Sequence, residues 1–89
     1  MIAAENVKVD GHTYKVGEEI PDLGSLVCTS EEDNGRIRGY EGKYTDKDKL
    51  PKYDDLSTGS SAFLSNNGKF VLYKYYADTK TWEGNGEVI

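Results

Sequence analysis

The chain has 89 residues, a formal charge of −5 and a single cysteine. That length supports one domain with a modest core. The negative charge argues against a protein that grips nucleic acid by neutralising phosphates, and one cysteine rules out an intramolecular disulfide framework.

The elements follow from four dipeptides, Asp10-Gly11, Asn34-Gly35, Asn67-Gly68 and Asn85-Gly86, each of which supplies the positive φ that a type I′ hairpin turn needs at both central positions. Around Asp10-Gly11 a two-residue loop pairs Val9 with His12, Lys8 with Thr13 and Val7 with Tyr14, so that Val7, Val9, His12, Tyr14 and Val16 share one face. Residues 17–24 read as a connection in which Pro21 enforces an extended approach. Around Asn34-Gly35, Leu26-Val27-Cys28-Thr29 should pair with residues 37–41, bringing Glu31 opposite Arg38, Asp33 opposite Arg36 and Thr29 opposite Tyr40.

Residues 43–55 break the β pattern with a run of charges and read as a crossover. Thr45 is positioned to cap one short helical turn near residues 45–50, with Asp48 at the capping-box position and Pro51 as the stop. Around Asn67-Gly68, Leu64 pairs with Val71 and Ala62 with Tyr73 on one face, while Ser65 pairs with Phe70 and Phe63 with Leu72 on the other. Because both faces are apolar, residues 70–76 are the expected central strand. A turn at residues 77–80 returns Thr81 and Trp82 beside Tyr76 and Tyr75, and Asn85-Gly86 precedes the apolar end Val88-Ile89.

The expected fold is all-β, a small antiparallel sandwich or open barrel built from hairpins, in one domain spanning residues 1–89. The units 24–42 and 59–76 share the pattern Asn-Gly, basic, apolar, two residues, Tyr. Their offset of 33 to 35 residues fits a duplicated hairpin, although hairpins also draw on a small common vocabulary.

No catalytic set emerges. His12 is the only histidine and lies on an apolar face beside a turn, so packing is its expected role rather than catalysis. Cys28, between Val27 and Thr29, reads as a buried, inert thiol. The acidic pairs and triplet Glu18-Glu19, Glu31-Glu32-Asp33 and Asp54-Asp55 lack the alternation of a calcium loop and read as solvated turns. One histidine and one cysteine do not make a structural zinc site, so no metal or cofactor is expected. No stretch approaches the roughly 20 apolar residues that span a bilayer, and residues 1–4 are too short and uncharged for a signal peptide. Residues 1–42 hold four basic and nine acidic side chains against seven of each in 43–89, which concentrates the negative charge in the first half. The one group suited to contact a ligand is Tyr73, Tyr75 and Trp82, an interaction surface if it faces solvent and the core itself if it does not.

The stretches 12–25, Arg38-Gly39-Tyr40-Glu41-Gly42, Lys49-Leu50-Pro51-Lys52-Tyr53, Thr58-Gly59-Ser60-Ser61-Ala62 and Thr79-Lys80-Thr81-Trp82 give the chain its family likeness. In them it resembles small proteins encoded by phages and prophages of Gram-positive bacteria. Members of that set end in an aromatic and an aliphatic residue soon after the Trp, whereas this chain carries Gly84-Asn85-Gly86. The resemblance implies a phage virion component, made in the host cytoplasm and located in the virion: a non-enzymatic head decoration, head-fibre or tail accessory protein. Its expected partners are capsid or tail proteins and further copies of itself, as a homo-oligomer or multi-copy assembly, with no nucleic acid and no membrane. Two alternatives stand beside that expectation, a carbohydrate- or receptor-binding β-module and an acidic phage-encoded inhibitor of a host enzyme.

Overall fold

The computed structural model describes residues 1–9 and 12–89. The Asp10-Gly11 turn lies outside the described residues, but the strands on either side keep the expected register, Val7 opposite Tyr14 and Val9 opposite His12. These strands, β1 (Val7–Val9) and β2 (His12–Tyr14), form a two-stranded sheet of their own. The second sheet has six strands in sequence order: β3 (Val27–Glu32), β4 (Ile37–Lys43), β5 (Ser61–Asn66), β6 (Lys69–Tyr76), β7 (Thr81–Gly84) and β8 (Glu87–Val88). The fold is therefore nearly all β and mostly antiparallel.

The turns do what their composition dictates. Asn34 and Gly35, Asn67 and Gly68, and Asn85 and Gly86 all adopt positive φ, between 48° and 81°. Around Asn67-Gly68 the expected register is met at every pair, from Ala62 with Tyr73 to Ser65 with Phe70, and Tyr75 pairs with Trp82. Around Asn34-Gly35 the register holds from Glu32 with Ile37 through Ser30 with Gly39, and then shifts. A bulge at Thr29 places Cys28, not Thr29, opposite Tyr40. Cys28 is only partly buried at that irregularity, and its thiol donates to the Ser30 carbonyl at 3.3 Å.

One junction is parallel: β4 runs alongside β5, with Glu41 opposite Phe63 and Lys43 opposite Ser65. A parallel neighbour requires the chain to cross over, and residues 44–60 do so. The crossover begins with a 3-10 helix, Tyr44–Lys49, whose N-cap is Lys43 without a side-chain capping bond. Thr45 is thus not the cap. The polar anchor is Asp46, which accepts hydrogen bonds from the Ser25 amide at 2.9 Å and the Ser25 hydroxyl at 2.6 Å. These donors hold the Asp46 carboxyl below its ordinary pKa, because they favour the charged form.

The crossover lies over one face of the large sheet, and the first hairpin packs against the crossover through Tyr53 and Asp55. Leu50 and Leu56 of the crossover close the core over Leu26, Tyr40, Ala62, Leu64, Tyr73, Tyr75 and Trp82. Trp82 is fully buried, donates its indole N–H to the Pro51 carbonyl at 2.9 Å, and has Tyr75 and Tyr40 as ring neighbours at 5.0 and 6.2 Å. Among the described residues, no layer covers the opposite face of the sheet.

Candidate functional site

Alternation along β4, β5 and β6 sorts every side chain to one face or the other. Arg38, Tyr40, Ala62, Leu64, Tyr73 and Tyr75 point inward and are buried. Tyr73, Tyr75 and Trp82 are therefore core residues and do not form a surface platform, which removes the aromatic stack that a sugar-binding reading needs. The physical reason is their shared parity with Ala62 and Leu64, which places all of them under the crossover.

The outward set is the feature that sequence reasoning missed. On it lie Val27, Phe63, Phe70 and Leu72, exposed to 55%, 45%, 70% and 41%. The apolar character of both faces of β6 is legible in the sequence, and it points to a strand buried on both sides. In the structure β6 is interior within its sheet, flanked by β5 and β7, yet its outer side faces solvent. Phe70 stands between two hollows. One, of about 180 Å³, is lined by Glu41, Phe63 and Phe70; the other, of about 400 Å³, is lined by residues that include Phe70, Leu72 and Asn85.

The face carries charges as well as rings. Glu41 lies beside Phe63, and Lys43 beside Ser65, which itself lies beside Phe70. Neither the Glu41 nor the Lys43 side chain forms an ion pair among the described residues. Neither Phe63 nor Phe70 has a ring contact among the described residues.

A second polar cluster fastens the first hairpin to the crossover. His12 stacks on Tyr53 with ring centroids 3.9 Å apart, and its Nδ1 lies 2.9 Å from Asp55. The Tyr14 and Tyr53 hydroxyls share a hydrogen bond. Burial, followed by the Tyr14 contact, raises the Tyr53 phenol well above its ordinary pKa. Behind them Arg38, with its side chain fully buried, donates to the Gly35 carbonyl at 2.6 Å, to the Tyr40 hydroxyl at 3.2 Å, and sits 3.5 Å from Asp55. His12 thus sits in a packed junction, held by an aromatic ring on one side and a carboxylate on the other.

At the other end, Glu87 of β8 accepts hydrogen bonds from Tyr44 and Lys47 of the 3-10 helix. Those bonds lower the Glu87 carboxyl and raise the Lys47 ammonium. Among the described residues no three His, Cys, Asp or Glu side chains converge to hold a metal ion, and no helix is long and apolar enough to cross a membrane. Compared with known proteins, the chain matches no family model, no curated protein and no solved structure.

Proposed function

We propose that the protein is a non-enzymatic contact module, which works by packing the outer face of its six-stranded sheet against another protein in a multi-copy assembly. The observation that carries this reading is the exposure of Val27, Phe63, Phe70 and Leu72 on one sheet face. Apolar side chains scattered singly over a surface mean little, but a contiguous group rimmed by polar residues marks an interaction site. Aromatic residues are also the side chains most enriched at protein interfaces.

The setting we propose is the particle of a phage, as a head decoration, head-fibre or tail accessory protein. The family resemblance in residues 12–82 supports that setting, and a small β domain with a contact face suits it. The test is mass spectrometry of gradient-purified particles from cells that make the wild-type chain or its Phe70→Asp variant. Wild-type protein at stoichiometric copy number, with the variant folded but missing from the particles, is the expected result. Particles that contain no wild-type chain would sink the proposal.

A further inference from the structure

We propose that the outer face pairs with a second copy of this chain across a two-fold axis that crosses the strands at right angles. This rests on the reading that the outer face is the contact surface, and it names the partner. The sheet register defines two adjacent rows on that face. Val27, Glu41, Phe63 and Leu72 form one, and Lys43, Ser65 and Phe70 form the next.

With two sheets face to face, a two-fold axis lying between these rows exchanges them. Glu41 of each copy then faces Lys43 of the other, Leu72 faces Phe70, and Phe63 faces Ser65. An isologous interface has to be self-complementary, and this one is: both charges meet their opposites and the apolar side chains of Phe70 and Leu72 meet each other. The competing arrangement, with the axis parallel to the strands along β5, sets Glu41 against Leu72 and Lys43 against Phe70. That buries both charges unpaired, at a cost no exposed ring recovers.

The relief of the face fits the first arrangement. Phe70 projects, and the position opposite it is Leu72, at the hollow of about 400 Å³ that Leu72 and Asn85 help to line. Aligned sheets pack at about −30°, so one strand spacing of about 4.8 Å from the centre the rows slip by only about 2.5 Å. The flexible side chains of Glu41 and Lys43 span that slip.

The experiment is analytical ultracentrifugation of the full chain over roughly 1 μM to 1 mM, with circular dichroism to verify folding. Wild type, Glu41→Lys, Lys43→Glu, the double variant E41K/K43E and an equimolar mixture of the two single variants are compared. The wild type should dimerise, and each single variant should dimerise about tenfold more weakly or worse, because two like-charge contacts replace two attractive ones. The double variant and the mixture should recover association, since both restore opposite charges across the axis. A wild type that stays monomeric throughout, single variants that associate like wild type, or a double variant no better than the singles would each overturn the pairing. If the chain is stoichiometric in purified particles while these tests fail, the second copy is the wrong partner and the contact-face reading stands. Dimerisation with no trace of the chain in particles upholds the pairing and overturns the phage setting.

Discussion

Replacing Trp82 separates a core from a binding platform. Its side chain has no exposed surface and satisfies the buried Pro51 carbonyl. Trp82→Ala removes the ring, at about 3–5 kcal/mol for a large aromatic in a core, and leaves that carbonyl without its donor, at about 1–3 kcal/mol. The two losses overlap, so about 4 kcal/mol or more is expected. A chain of 89 residues has about 4–13 kcal/mol of stability in all, and the variant is accordingly marginal or unfolded. Trp82→Phe keeps a six-membered ring and loses the donor and part of the volume, for about 2 kcal/mol. Urea unfolding followed by far-ultraviolet circular dichroism reads these changes without relying on the deleted fluorophore. With a slope of about 1 kcal/mol/M, the Trp82→Phe midpoint falls by about 2 M. Tyr76→Ala, on the outward side of β6, is the control and should move stability by less than about 1 kcal/mol. A Trp82→Ala protein whose midpoint stays within about 0.5 M of wild type would refute the placement of Trp82 in the core.

Gly84 admits no side chain, since an added Cβ would meet the Leu72 carbonyl oxygen at 2.3 Å and the Tyr73 ring at 2.9 Å; Gly84→Ala should cost about 1–3 kcal/mol by thermal unfolding. Asp55→Asn should destabilise more than Arg38→Met, because the first leaves a fully buried guanidinium without its counter-charge, while the second leaves a carboxylate that is 44% exposed and still beside His12. Equal losses in paired urea titrations would count against that asymmetry. The Asp46 carboxyl has a lower pKa in the fold than in the unfolded chain, so its contribution is present above the ordinary carboxylate range and fades as pH falls through the folded value. Asp46→Asn should flatten the loss of stability below about pH 4, and an unchanged acid limb of the stability curve would contradict the role given to Ser25.

Much of the fold is legible in the sequence because hairpin chemistry is local. Asn-Gly turns specify their own φ values, and a two-residue turn then dictates every pair outward from it, as the β5–β6 register shows. What escapes is non-local or competitive. The bulge at Thr29 inserts one residue between Cys28 and Ser30, and no turn residue announces it. The parallel junction of β4 and β5 depends on where the crossover returns, which the charged run does not encode. Thr45 matches a cap pattern, but Asp46 has the stronger partner in Ser25, 21 positions away. For Tyr73, Tyr75 and Trp82 the sequence leaves surface and core both open, and parity with Ala62 and Leu64 decides for the core.

The candidate site escapes for a different reason. Alternation reports which residues share a face, but not whether a face is covered, so two apolar faces on β6 read as burial on both. In the structure the large core lies entirely on the side that the crossover covers. Phe63, Phe70 and Leu72 therefore contribute little to closing that core, and threonine at those positions would meet the β-propensity of an outer sheet face equally well. Their apolar character is better explained by what packs on the outside than by folding. Glu41 and Lys43 sharpen the point, since a patch built only to be sticky would not need two opposite charges, both without ion pairs among the described residues, in adjacent rows. On the proposed reading, fold and contact occupy opposite faces of the same strands, and each can be perturbed while the other is left standing.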